Sequence, residues 1–487
     1  MGDSLTHTLS SQDHWSPSAS AAVQQALVVL WCPSAPHRIG EVALLPHRGS
    51  CVMGRGEGGE SDPFPRLALS RQRPGELAST GPLQLQSVSR IQAIFHVEDN
   101  GLAVERVGRC PMRVDGDPID ERAHLGPGAT LELERQCLFR MSERPIALPA
   151  SPGPLHGFGG ADADGIVGET PAAWALRQEI AFIAPRNAHV LVHGASGSGK
   201  ELVARAIHAR SDRATGPFVS RSAATIPEGL VDAELFGHAR DYPSSGMPAR
   251  EGLVGAADGG TLFLDEFAEL SDALQAHLLR VLDAGEYQRL GETRVRHSSF
   301  RLVGATNRPL SAIKHDVLAR LPLIIEVPDL NARTDDIPLL ARHVLRKIAT
   351  SDRAIAERFF VGGTPEGEPR LTARLIRLLL AHPWTTHVRE LEALLWQAMR
   401  TTGPALDLQE DPGRPDGGPP EPQAPSDWEA WRGNDTAAIP ASALQACLDE
   451  HNGNQEATWR AMQLSSRHVL KRLIAKHGLT IRKSGLH

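Results

Sequence analysis

The sequence predicts a multidomain chain of three unlike blocks: an all-β sandwich, an α/β domain built on a parallel sheet, and an all-α helix-turn-helix. Three observations predict it. At 487 residues the chain exceeds what one ordinary core accommodates, and about three domains is the natural expectation. Two stretches rich in Pro, Gly and Asp, "ALPASPGPLHGFGGADADG" and "EDPGRPDGGPPEPQAPSD", cannot bury a core and divide the chain. The periodicity of the apolar residues then changes across each divide. Hydrophobic content of 41% and charged content of 22% are those of a globular protein. The formal charge of -7 excludes a chain coated in nucleic acid along its length and leaves room for one local basic module.

Taken in order, residues 1–22 are polar, lack a basic n-region followed by an apolar core, and read as a disordered tail rather than a signal peptide. Residues 23–146 carry short runs such as "QALVVLWC", "RLALS", "AIFHVED" and "LAVERV" between Gly, Pro and Asp turns. That pattern predicts antiparallel strands in a sandwich. Residues 147–165 read as a linker. From 166 to 402, helical stretches such as "PAAWALRQEIAFIA" alternate with buried-strand runs such as "HVLVHGA", "GTLFLDE" and "FRLVGATN", the signature of a parallel sheet wound by helices. Residues 403–437 read as a disordered linker, and 438–487 as helical. No run is long and apolar enough to span a membrane. Cys32, Cys51, Cys110, Cys137 and Cys447 form no C-x-x-C pair, and a reduced, cytoplasmic compartment is expected.

The stretch "HVLVHGASGSGKELVARAIHA" sets Gly194, Gly197, Gly199 and Lys200 between a strand and an amphipathic helix. Glycines let backbone N–H groups close around phosphates, the helix N-terminus favours negative charge, and a lysine there reaches terminal phosphates. The strict phosphate-loop pattern has Ser or Thr after the lysine, whereas this chain has Glu201; the alternative is a Gly-rich structural turn. Downstream, "GGTLFLDE" ends a second buried strand in Asp265 and Glu266. Such carboxylates hold the water shell of a magnesium ion and polarise an attacking water.

The central block resembles the AAA+ domain of bacterial enhancer-binding proteins, the sigma-54 activators, from about Ile166 to Thr402. "GETPAAWALRQEI", "GASGSGKELVARAIH", "ELFGH", "GGTLFLDE", "ATNRPL", "DDIPLLARHVL" and "VRELE" follow the family's order and spacing, and Gly-Lys-Glu is its usual form of the phosphate loop. The resemblance implies a phosphate-loop fold with a helical lid, ATP and Mg2+ as cofactors, and hydrolysis of ATP. It implies that Lys200 binds phosphates with Glu201 beside it in the nucleotide site, that Asp265 binds the metal, and that Glu266 activates water. It further implies that Asn307 senses the γ-phosphate, that Arg320 is an arginine finger acting on the neighbouring subunit, and that Arg389 is a second sensor. An arginine supplied in trans stabilises charge developing in the transition state, so a homo-oligomeric ring, a hexamer, is implied.

Departures from the family are local. Ser222 in "RSAATIPE" stands where an Asn usually restrains the catalytic Glu, Lys314 replaces a companion arginine, and Thr385, Thr386 and His387 replace Pro-Gly-Asn. The largest departure is in the loop whose Phe and Thr touch sigma-54 in the family, GAFTGA. An ungapped alignment places Asp241, Tyr242, Pro243, Ser244, Ser245 and Gly246 there. Length is kept; the aromatic anchor is gone, and Asp241 brings a charge to the tip.

The N-terminal block resembles a forkhead-associated domain through "VMGRGEG", "SVSRIQAIF" and "RVDGDPI". The resemblance implies that Arg55, Ser89 and Arg90 hold a phosphothreonine of a partner protein, with Gln92 in place of a structural His. The C-terminal segment "ASALQACLDEHNGNQEATWRAMQLSSRHVLKRLIAKHGL" resembles the Fis-type helix-turn-helix, with Ser466, Arg467, His468, Lys471 and Arg472 placed to meet DNA. The expected function is an ATP-dependent transcription regulator of the sigma-54 activator type that binds promoter or enhancer DNA. A sigma-54-independent DNA-binding regulator, using ATP only as an assembly switch, is the alternative.

Overall fold

The computed structural model describes residues 23–60, 62–150, 155–408, 441–450, 458–459, 461–462 and 467–477. The chain divides into two compact units, one ending at Gln409 and one beginning at Glu410.

The first unit opens with two antiparallel sheets. The larger has eight strands, ordered Glu76–Gly81, Leu69–Arg73, Val42–Leu44, Val23–Trp31, Cys137–Pro145, Thr130–Leu133, Met112–Val114 and Asp117–Pro118. The smaller has four, ordered Arg122–Leu125, Gly101–Arg106, Ala93–Glu98 and Gly49–Met53. Between them lies a core of Leu27, Val29, Cys51, Phe95, Leu102, Phe139 and their neighbours. A strand with one wetted face alternates apolar and polar residues, yet the run from Ala26 to Leu30 is apolar throughout and buried throughout. The reason is a second core on the other face. Val28 and Leu30, with Ile39, Val42 and Leu138, pack into the cluster formed by the lid helices described below.

The rest of the first unit is α/β. Its sheet is parallel, with strands β1 (Val190–His193), β2 (Phe218–Ser222), β3 (Thr261–Asp265), β4 (Arg301–Thr306) and β5 (Leu323–Glu326) in the order β2-β3-β4-β1-β5. Helices α1 (Pro171–Ile183), α2 (Lys200–Ala209) and α3 (Asp272–Ala284) pack on it. Thr170 caps α1 by accepting from the Ala173 N–H, and Pro171 opens the first turn. At the other end of α1, the buried Arg301 guanidinium donates to the carbonyls of Ile183, Ala184 and Ala188, a cation at the helix's negative pole. Burial lowers its pKa to about 10.

The lid comprises α4 (Ile337–Ser351), α5 (Arg353–Phe359), α6 (Ala373–Ala381) and α7 (His387–Ala398). It meets the sandwich along charged and apolar contacts. Residues 140, 142 and 144 share one face of the strand Cys137–Pro145, and all three reach Asp335 just ahead of α4. Arg140 Nη1 and Arg144 Nη2 each lie 2.9 Å from its carboxylate, and Ser142 Oγ donates to it at 3.0 Å. Trp31 Nε1 donates to the Leu371 carbonyl at 2.7 Å, and Arg377 pairs with Glu132. The neighbouring carboxylate, Asp336, turns the opposite way. It accepts from the Glu169 and Thr170 N–H groups and the Thr170 hydroxyl, which fixes the start of α1.

The stretch 147–165, expected as a linker, is pinned where described. Leu148 is buried, Asp162 pairs with Arg177 at 2.7 Å, and the Phe158 ring lies beneath Arg71 and Arg73. Residues 403–408 likewise belong to the lid through the buried Leu406 and the Asp407–Arg374 pair. The second unit holds helices α8 (Ala441–Glu450) and α9 (Arg467–His477), with a small core of Leu444, Cys447, Leu448, Met462, Leu470 and Leu473. No described helix is long and apolar enough to cross a membrane.

Candidate nucleotide site

The loop between β1 and α2 lies at the carboxyl ends of the parallel strands, where a sheet of this kind leaves room for a ligand. Gly199 caps α2, so the free N–H groups of the helix start face out of the loop. Lys200 Nζ folds back to donate to the carbonyls of Gly194 and Ala195 at 3.0 and 2.9 Å. Burial lowers its pKa; Asp265 opposes that shift, Arg389 adds to it, and Glu266 opposes it. Those four charged groups therefore share one electrostatic site.

Parallel pairing sets Ser222 of β2 opposite Asp265 of β3. Glu266 follows in a left-handed conformation, with φ of 54°, and its N–H donates to Asp265 Oδ1 at 2.9 Å. The turn swings the Glu266 side chain toward β2, where Ser222 Oγ donates to its Oε2 at 2.6 Å. The short Ser side chain thus supplies a donor to the glutamate from the position where the resemblance places an Asn.

The lid closes the other wall. Glu390 draws in the chain ahead of α7 by accepting from the N–H groups of Thr385 and Thr386 at 2.9 and 3.0 Å and from the Thr385 hydroxyl at 3.2 Å; His382 Nε2 lies 2.8 Å from its other oxygen. The Thr386 N–H leads these contacts in depressing the Glu390 pKa to about 2. That turn rests directly on the phosphate loop. The Val388 N–H donates to the Gly197 carbonyl at 3.2 Å, and Arg389 Nη1 to Ser196 Oγ at 3.3 Å. A Cβ on residue 197 would stand 2.1 Å from the Thr386 carbonyl oxygen, and φ there is +74°, so only glycine fits. His387 adopts a φ of 48°, a conformation that Asn, the family's residue there, accepts readily.

The structure therefore brings together Gly194, Gly197, Gly199, Lys200, Asp265, Glu266 and Arg389. Asn307 sits exposed just beyond β4, the strand paired with β3. Two candidates point elsewhere. Glu201 is exposed and pairs with Arg205 one turn along α2, at 2.7 Å, and Arg320 forks the carboxylate of Asp283 on the surface. Sequence pattern does not mark Ser196 or the bracing carboxylates Asp336 and Glu390 as site residues. The paired acids of "DDIP" and the Glu within "VRELE" were the only signals present.

The loop bearing Asp241 to Gly246 projects from paired strands Gly237–His238 and Arg250–Glu251. It is folded on itself. Asp241 accepts from the Gly246 N–H at 2.7 Å, its own N–H donates to the Met247 carbonyl at 2.8 Å, and the Tyr242 ring abuts Gly291.

In the sandwich, Gly54 permits the close approach that gathers Arg55, Ser89 and Arg90: a Cβ at 54 would lie 1.9 Å from the Arg90 carbonyl. The Arg55 N–H donates to the Ser89 carbonyl, and Ser89 Oγ accepts from the Arg109 N–H at 3.0 Å. Gln92 is fully buried and braces the same loop, accepting from the Ser89 N–H and donating to the Cys110 carbonyl. In the second unit, Ser466 lies outside the described residues. Arg467 and His468 begin α9, and Lys471 and Arg472 are exposed along it.

Residues 166–325 match the family model described as Sigma-54 interaction domain. The transcriptional regulatory protein ZraR of Escherichia coli (strain K12) is 41% identical over 242 residues, covering 48% of this chain and 52% of that protein. The chain thus spans about half the length of this relative. The anaerobic nitric oxide reductase transcription regulator NorR of Aeromonas salmonicida (strain A449) is 33% identical over 393 residues, covering 76% of this chain and 74% of that protein. Among solved structures, NtrX from Brucella abortus in complex with ADP is 29% identical, covering 65% of this chain and 70% of that one, with a TM-score of 0.45.

Proposed function

The chain belongs to the family of sigma-54-dependent transcriptional regulators, and from that premise we propose that it is an ATP-hydrolysing transcription regulator that works as a ring. The observation that carries the proposal is the convergence of Lys200, the Asp265–Glu266 pair and Arg389 on one glycine loop closed by the lid. Lys200 exchanges its two carbonyl partners for terminal phosphate oxygens. Asp265 offers the hard oxygen donors that Mg2+ takes, and the metal, when bound, neutralises charge on the phosphates. Glu266 orients and deprotonates the attacking water once Ser222 releases it. Arg389 tracks the phosphates from the lid, and Asn307 does so from just beyond β4. Arg320 acts on the next subunit, which makes the oligomer, a hexamer in this reading, the active form.

The flanking regions give this motor its address and its signal. Lys471 and Arg472, with Ser466, Arg467 and His468, contact DNA as part of a helix-turn-helix. Arg55, Ser89 and Arg90 hold a phosphothreonine of a partner protein, whose binding gates ring assembly. Forked guanidinium contacts to phosphate suit that task.

A second reading rests on one specific observation: the loop at 241–246 lacks the Phe and Thr of the family and is braced internally by Asp241. On that reading the regulator acts without sigma-54, and ATP drives assembly alone. Incubating the full chain with sigma-54, ADP and a metal fluoride tests both. A stable ternary complex establishes the activator; trapped nucleotide and ring without sigma-54 establish the assembly switch. Failure to trap nucleotide refutes the proposal in either form.

A further inference from the structure

Arg320 lies just past the short helix His315–Leu318, at the surface of its own subunit. It does not stand free. Its Nε donates to Asp283 Oδ1 at 2.6 Å and its Nη2 to Asp283 Oδ2 at 3.2 Å, the side-on fork by which a guanidinium also grips phosphate. Each partner favours the charged form of the other, the hydrogen bond leading in both cases. The placing of Asp283 calls for an explanation, because it sits in the last turn of α3, two residues before the left-handed cap at Gly285. A carboxylate is the wrong sign for the negative end of a helix, and α3 gains nothing from it. Its described partner is the candidate finger.

We propose that Asp283 is a positioning residue that holds Arg320 in the resting subunit and competes for it with the terminal phosphate bound by the neighbouring subunit. The proposal rests on the finger role given to Arg320 above. One guanidinium edge cannot fork a carboxylate and a phosphate together, so engagement across the interface requires the Asp283 contact to break. The same acid faces the incoming triphosphate with like charge while the pair is intact. The consequence is a threshold: neighbours must be present, and loaded, before the finger transfers.

The test measures ATP turnover per subunit against protein concentration for the full chain, with single-subunit ADP affinity as a control. Asp283→Asn keeps the size of the side chain and removes its charge. Because an exposed pair is weak, the expected effect is a half-maximal protein concentration lower by about two- to fivefold, with ADP affinity unchanged. Asp283→Glu should track the unaltered protein. An unchanged or higher half-maximal concentration for Asp283→Asn overturns the proposal. So does the same shift in ADP–metal fluoride-driven assembly when Arg320 is already Ala, since Asp283 would then act without the finger. An unaltered chain that binds ADP but whose turnover ignores protein concentration overturns the finger assignment itself, and a chain that traps no nucleotide overturns the enzymatic reading beneath it.

Discussion

Replacing Arg144 with Met removes one of the two cations on Asp335 while keeping the length and apolar stem of the side chain. Arg144 is 2% exposed and Asp335 is 7% exposed, so their pair is shielded from solvent and salt. Breaking a buried pair by deleting one partner costs about 3–5 kcal/mol. Arg140 and Ser142 still reach the carboxylate, and Arg144 Nη1 is buried without a partner, so the low end, about 3 kcal/mol, applies. Since 1.4 kcal/mol is a factor of ten, opening of the sandwich from the lid should become about a hundredfold more frequent. Native-state hydrogen exchange at the Trp31 indole N–H, which donates to the Leu371 carbonyl across that interface, reads that opening. Exchange within threefold of the unaltered protein would refute the reasoning. Adding Asp335→Asn should restore much of the loss, because the stranded charge is then gone. Burial alone would raise the Asp335 pKa, but Arg144 and Arg140 outweigh it and hold the pKa below the usual value. A depressed carboxylate gives stability that is complete above its unfolded value of about 3.9 and is lost as pH falls through the folded one. The share of stability that the pair gives the unaltered protein should therefore persist to about pH 4 and narrow only below it.

Three further outcomes are expected. Lys200→Ala should abolish nucleotide binding, measured by calorimetry with ADP; normal affinity would refute the site. Glu266→Gln should preserve binding and lower ATP turnover by about a hundredfold or more, the scale of a lost general base. Ser222→Ala removes the hydroxyl bound to Glu266. Turnover by isolated subunits should rise and its dependence on assembly fall; a loss of turnover instead would show that Ser222 orients the glutamate rather than restraining it.

Much of this was legible in the chain, for physical reasons that differ from place to place. A glycine loop between strand and helix, and an acid pair at a strand end, are local signals, and the structure assembles them. The run "QALVVLWC" was legible as a sandwich strand, but its burial on both faces was not. Its second partner, the lid, lies hundreds of residues away, and no periodicity names it. Glu201 shows the converse limit. Its place beside Lys200 suggested the phosphates, yet a helix carries neighbouring side chains in different directions, and the arginine one turn on takes it. Asp283 carries no motif at all; it acquires meaning only once the fold sets Arg320 against it.

The strand Val23–Trp31 serves two cores at once, and that has a mechanical consequence. A lid that turned on its hinge could not leave the sandwich behind without uncovering Val28 and Leu30 to water. The same sheet is also fastened to the α/β domain, because Arg73 of the strand Leu69–Arg73 pairs with Glu169 at 2.7 Å just ahead of α1. The sandwich is thus a strap tied at both ends, to the lid through Val28, Leu30 and Asp335 and to the α/β domain through Glu169. A lid that shifts must either slacken one of those knots or pull the other end with it, and a partner that grips the sandwich holds the strap.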